Sequence, residues 1–181
     1  MSEEKTLIIM RGLPFTGKST RAKELAGDTG LIFSTDDYWY EVNFPEKPDE
    51  YSFNRNRLHM AHKWNLIRAQ RAMEQGQPLI IIDNTNTTQK EFCCDYAKYA
   101  HWQGYNICIK EPTSPQWVDI APLLLNKKAN KKELKNWAAK LAEGSKENHN
   151  VPQFAIERMM WRWECDLLPE NVMDNCIHNH T

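Results

Sequence analysis

Short apolar runs alternate along this chain with longer stretches that are apolar at every third or fourth position. The short runs are Thr6–Met10, Leu31-Ile32-Phe33, Leu79-Ile80-Ile81-Ile82 and Tyr105–Ile109, each predicting a strand. Leu79–Ile82 is apolar throughout, the kind of strand buried on both faces of a parallel sheet. Between them the spacing predicts helices over Lys18–Ala26, Phe53–Glu74 and Gln89–Trp102. Leu58, Ala61, Trp64, Ile67 and Met73 fall near one face of the second; Phe92, Cys93, Tyr96 and Ala100 do so in the third. Gly27-Asp28-Thr29-Gly30, Gly76-Gln77-Pro78 and Gly104 punctuate the pattern, and the polar Asn43–Asp49 reads as a loop. The succession of βα units predicts an α/β fold with a doubly wound, mainly parallel sheet.

After Pro112 the pattern changes. Residues 115–164 read as helical, with helices expected near Lys131–Ala142 and Pro152–Glu164 and no strong strand. Pro169–Thr181 reads as a short final strand or a loose tail. No repeat or linker divides the chain, so the expectation is one domain over 1–181 with a lid-like helical insertion at about 115–164.

Composition narrows the classes. With 181 residues, 41% hydrophobic and 26% charged, the chain can bury one sizeable core. A net charge of −1 gives no global attraction to nucleic acid or anionic membrane, so any polyanion site must come from local clustering. No apolar run approaches the roughly 20 residues of a membrane span. The opening Met-Ser-Glu-Glu-Lys is acidic and unlike a secretory signal. Five cysteines, Cys93, Cys94, Cys108, Cys165 and Cys176, lack a framework spacing, which points to reduced thiols and a cytoplasmic setting. Seven lysines against two glutamates between Lys127 and Lys146 read either as a solvated helix face or as a basic lid.

The chemistry begins at Gly12-Leu-Pro-Phe-Thr-Gly-Lys-Ser19, which fits the phosphate-binding pattern G-x-x-x-x-G-K-[ST] between a strand and a helix. Backbone N–H groups of such a loop wrap nucleotide phosphates, aided by the positive end of the helix. Gly12, Pro14, Thr16, Gly17, Lys18, Ser19 and Thr20 are therefore expected at ATP, with Lys18 on the outer phosphates and Ser19 on Mg²⁺. Ser34-Thr-Asp-Asp-Tyr38 follows the second strand, at the edge where open parallel sheets bind ligands. Asp36 there reads as a general base for an attacking hydroxyl, or as a helix cap. Asp37 reads as a cap or salt-bridge partner. Asp83 closes the third strand in Asp83-Asn-Thr-Asn86 and is expected on the Mg²⁺ side of the site; Asn86 leans toward an N-cap. Trp39, Tyr40 and Phe44 read either as stacking groups for a terminal base or as loop packing, and Arg55 and Arg57 as candidates for a cationic track. His59 and His62 carry no third ligand, and Cys176-Ile-His178-Asn-His180 has only a chance metal spacing.

Gly12–Ser19, Ser34–Tyr38, Leu79–Asn86 and His149-Asn-Val-Pro152 together resemble the P-loop 5′-polynucleotide kinases. Tyr51-Ser-Phe53, Ala61-His-Lys-Trp-Asn65 and Arg162-Trp-Glu164 are similar to the kinase modules of animal ubiquitin-ligase-binding proteins. The phage end-healing kinases and the kinase-like half of cyclic-nucleotide phosphodiesterase are more distant. The resemblance covers roughly residues 6–164. It implies a P-loop kinase fold and transfer of the γ-phosphate of ATP to the 5′-hydroxyl of DNA or RNA. Asp36 would be the general base, and Lys18 and Asp83 would act in catalysis. Ser19 and Asp83 would serve Mg²⁺, and lid cations such as Lys127 and Lys128 would serve the phosphates. Lys131, Lys132, Lys146, Arg158 and Arg162 are further lid candidates. Trp39 stands where the phage enzymes carry a phosphate-contacting arginine. The same motifs also fit a kinase for another hydroxyl (a nucleoside, modified base or sugar nucleotide) or a non-catalytic nucleotide-binding module.

Overall fold

The computed structural model describes residues 4–42 and 51–165. The expected loop Asn43–Asp49 with Phe44, and the tail with Cys176, His178 and His180, lie outside the described residues. Four strands form the sheet: β1 (Thr6–Met10), β2 (Leu31–Phe33), β3 (Leu79–Asp83) and β4 (Asn106–Lys110). Their order is β2-β3-β1-β4 and every pairing is parallel. The α/β prediction holds, and the physical reason is visible in the alternation. Leu7 and Ile9 of β1 with Ile80 and Ile82 of β3 face one way; Ile8 and Met10 with Ile81 face the other. Both faces are covered by helices, so the middles of these strands are apolar, and the buried polar Asp83 comes only at the end of β3.

Helix α1 (Lys18–Ala26) packs Ala22 and Ala26 on the second face. Helix α3 (Leu58–Glu74), entered through a 3₁₀ turn at Arg55–Arg57, and α5 (Lys98–Trp102) cover the first. The chain leaves β1 toward one face and β3 toward the other. Adjacent strand ends that diverge in this way open the crevice in which such sheets hold ligands. A short α2 (Asp37–Glu41) follows β2.

Several expectations are corrected by packing. The buried face of α3 is Ala61, Asn65, Ala69, Ala72 and Met73, while Ile67 is exposed. Small alanines let this helix lie close to the sheet, and Asn65 is buried because its amide donates to Phe33 O (3.4 Å) and Tyr96 Oη (3.1 Å). The expected Gln89–Trp102 helix is interrupted: α4 (Gln89–Phe92) and α5 flank one π turn, Cys93–Ala97. Residues 115–164 hold three helices, α6 (Pro115–Leu125), α7 (Lys131–Gly144) and α8 (Gln153–Arg162). Ser114 caps α6, its Oγ accepting from Trp117 N at 3.2 Å, with Pro115 at the first helical position.

These three helices share an apolar core of Trp117, Ile120, Leu124, Leu134, Ala138, Leu141, Ile156, Met160 and Trp163. Leu13 of the glycine-rich loop is fully buried in that same core. No helix among the described residues is long and apolar enough to cross a membrane.

Candidate functional site

The loop after β1 is shaped by its own backbone and by α6. Gly17 adopts φ 79°, a left-handed conformation that costs glycine least. Thr16 is fully buried, and its hydroxyl donates to Leu13 O at 2.7 Å, so this side chain staples the turn. Ser114 Oγ donates to Thr16 O at 2.8 Å. Gly12 N donates to Thr85 O at 3.1 Å, joining the loop to the segment after β3. Pro14 is half-buried, and Ser19 and Thr20 are exposed in the first turn of α1. Phe15 also sits at positive φ, 60°, with its ring against Gly144 at the end of α7.

Lys18 and Asp83 meet. Lys18 Nζ donates to Asp83 Oδ1 at 2.7 Å, and the side chains are 12% and 5% exposed. Parallel register explains the encounter: Met10 lies opposite Asp83, so the loop springs from the level at which that carboxylate emerges. Ser19 and Asp83 offer hard oxygen donors of the type Mg²⁺ takes.

Asp36 emerges at the end of β2, on the same edge of the sheet. Thr35 N donates to Asn84 Oδ1 at 3.0 Å, tying this turn to the residue after Asp83. Asp36 stands at the N-cap position of α2 yet makes no capping bond. Its Oδ1 accepts from Tyr51 Oη at 3.2 Å, and its Oδ2 lies 3.3 Å from His149 Nδ1. Burial raises the pKa of Tyr51, and the adjacent Asp36 charge raises it further, so this hydroxyl remains a donor. Asp37 is the structural partner of the pair. It bridges to Arg68 at 3.1 Å and accepts from Ser34 N at 3.4 Å.

Other expected residues take different places. Lys127 Nζ donates to Trp161 O (3.2 Å) and Trp163 O (2.5 Å). It thus satisfies carbonyls at the end of α8. Lys128, Lys131 and Lys132 are exposed; Lys146 pairs with Glu143 and Arg162 with Glu91. Trp39 is fully buried, edge-on to Tyr38 and Phe53, so its ring is core and not a stacking platform. Asn86 is no helix cap: at φ 50° its amide donates to Met10 O (2.8 Å) and Asn84 O (3.3 Å). Arg57 donates to Tyr38 Oη at 3.1 Å.

Sequence reasoning missed Arg11. It is 2% exposed and donates to Asn86 O (3.0 Å), Thr87 O (3.2 Å) and Glu164 O (2.7 Å), with its guanidinium 4.1 Å from the Trp163 ring centre. One cation thereby joins the strand before the loop, the segment after β3 and the end of α8. The available signal was an arginine directly after an otherwise apolar strand. Tyr51 and His149 were noted within motifs, but their roles require the folded chain.

A family profile described as an AAA domain matches residues 7–164. Over 118 residues the chain is 38% identical to human NEDD4-binding protein 2, which covers 64% of this chain and 6% of that protein. In fold it is similar to a candidate kinase from Chloroflexus aurantiacus (TM-score 0.55, 20% identity, covering 91% of this chain and 83% of that one). It is also similar to a chain of the Pnkp1/Rnl/Hen1 RNA repair complex (TM-score 0.56, 15% identity, covering 100% of this chain and 48% of that one).

Proposed function

The chain belongs to the AAA domain family, as a P-loop kinase-like domain related to polynucleotide kinases, and from that premise we propose that it phosphorylates the 5′-hydroxyl of DNA or RNA with ATP. The observation that supports this most is the division of labour between two carboxylates on neighbouring strand ends. Asp83 is paired with the loop lysine, on the nucleotide side. Asp36 is 40% exposed, and among the described residues its partners are a phenol and an imidazole. An acceptor alcohol can reach it.

In the proposed reaction the 5′-oxygen attacks the γ-phosphorus, and Asp36 takes the hydroxyl proton. The new O–P bond forms as the bond to the ADP oxygen breaks, in line. Lys18 and the loop N–H groups would hold the phosphate oxygens as charge moves toward ADP, and this preorganised field supplies most of the acceleration. Ser19 and Asp83 would hold Mg²⁺, which neutralises phosphate charge when bound. A cytoplasmic setting accompanies this reading. Lys127 is left out of the phosphate site because its ammonium ends α8; Lys128 remains a lid candidate.

The second reading is transfer to a small hydroxyl compound. Trp39, fully buried where phage kinases carry a phosphate-contacting arginine, is the departure that keeps it open. One assay separates them: labelled ATP and Mg²⁺ with hydroxyl-ended DNA, RNA and nucleosides. We expect transfer to oligonucleotides, lost about 10²–10⁴-fold in Asp36→Asn with ATP binding retained. Transfer to nucleosides alone, or full activity in Asp36→Asn, overturns the proposal.

A further inference from the structure

Asp36 is gripped from two directions, and only one of them belongs to the sheet domain. Tyr51 precedes α3 and reaches Oδ1 through its hydroxyl. His149 lies between α7 and α8 and reaches Oδ2 through Nδ1. The two rings stack on each other, 4.7 Å between centres and 17° between planes, and Tyr40 lies 5.3 Å from Tyr51. Two segments far apart in the chain thus converge on one carboxylate.

The segment carrying His149 is built within the lid. Ser145 is 3% exposed; its Oγ donates to Ala142 O (2.9 Å) and accepts from Val151 N (3.0 Å). Its carbonyl accepts from Asn148 N (3.1 Å) and Asn150 N (2.7 Å), and Asn150 takes a left-handed φ of 46°. Gly144, immediately before it, lies under the Phe15 ring. The loop conformation that presents His149 is therefore held by bonds inside the lid and by the tip of the phosphate-binding loop.

We propose that His149, together with Tyr51, is a positioning residue for Asp36, and that seating of the lid through His149 completes the acceptor half of the site. This inference rests on the assignment of Asp36 to the acceptor hydroxyl. An ionised carboxylate has about four lone-pair sites. Tyr51 Oη donates to Oδ1, and Nδ1 of His149, 3.3 Å from Oδ2, is placed to hold the other oxygen; a donor on each would stop rotation of the group and leave two sites open, one of which receives the acceptor proton. Without those donors the carboxylate samples orientations from which proton transfer fails. Hydrogen bonds of this kind are often long before substrate binds and tighten in the reacting complex.

The test uses the geometry of the imidazole. In His149→Asn the side-chain amide nitrogen is bonded to Cγ, as Nδ1 is; in His149→Gln it lies one bond further out. Steady-state transfer to a hydroxyl-ended oligonucleotide is measured for His149→Ala, His149→Asn, His149→Gln and Tyr51→Phe. We expect kcat to fall roughly ten- to a hundredfold in the Ala, Gln and Phe variants, with KM for ATP unchanged, and to recover largely in Asn. Unchanged kcat in His149→Ala, or an Asn variant no better than Gln, overturns the proposal.

A second measurement needs no activity. Long-range ¹H–¹⁵N spectra report which ring nitrogen of His149 is protonated in the free protein. A proton on Nδ1 that is lost from that position in Asp36→Ala supports the contact; a tautomer indifferent to Asp36→Ala refutes it. If the wild type transfers phosphate to no acceptor, the proposed function fails, and the spectra still decide whether His149 holds Asp36.

Discussion

Substituting Lys18 by methionine should do two separable things. It removes the cation expected at the outer phosphates, and it leaves Asp83 alone at 5% exposure. Removing one member of a buried pair costs about 3–5 kcal/mol, because the remaining charge loses its partner without regaining water. For a domain of this size that is a fall of roughly 10 °C in Tm. Replacing both residues by apolar groups, Lys18→Met with Asp83→Leu, should restore most of the loss, since no charge is left stranded. Urea denaturation of the wild type and these two variants, without nucleotide, measures both. A deficit under about 1 kcal/mol in Lys18→Met would refute the reasoning and place Asp83 in better contact with solvent than its burial implies.

Three further outcomes are expected. In Gly144→Ala the new Cβ would collide with the Phe15 ring, and because Phe15 is 49% exposed that ring can swing away. Stability should fall by only about 1 kcal/mol while nucleotide binding weakens, and Phe15→Ala should cancel part of the effect in a double-mutant cycle by calorimetry. Arg11→Met should cost about 3 kcal/mol and raise hydrogen exchange most in α8, because three carbonyls lose their donor. Burial pushes Tyr96 up to about 12. The unfolded chain therefore releases its tyrosine proton first, and Tyr96 should contribute up to ~3 kcal/mol to a decline in stability between about pH 10 and 12; Tyr96→Phe should make that slope shallower without abolishing it, because Tyr40, Tyr51 and Tyr105 are raised as well.

The fold and the shape of the glycine-rich loop were legible in the chain because both are local. A strand buried on both faces must be apolar throughout, so Thr6–Met10 and Leu79–Ile82 declare themselves, and a left-handed turn before a helix selects glycine at Gly17. Hydropathy misjudged α3, where Asn65 is buried and Ile67 is exposed, because an amide with partners on β2 and Tyr96 behaves as core. The resemblance offered Lys127 as a lid cation, and only the fold shows its ammonium donating to the carbonyls of Trp161 and Trp163. The partners of Asp36 are separated from it by 15 and 113 positions, and no periodicity links them. Residue types and spacing announce what a segment can do by itself. Which carboxylate faces the loop lysine, and which is held by Tyr51 and His149, is decided only when parallel register and the lid core bring distant segments to one edge of the sheet.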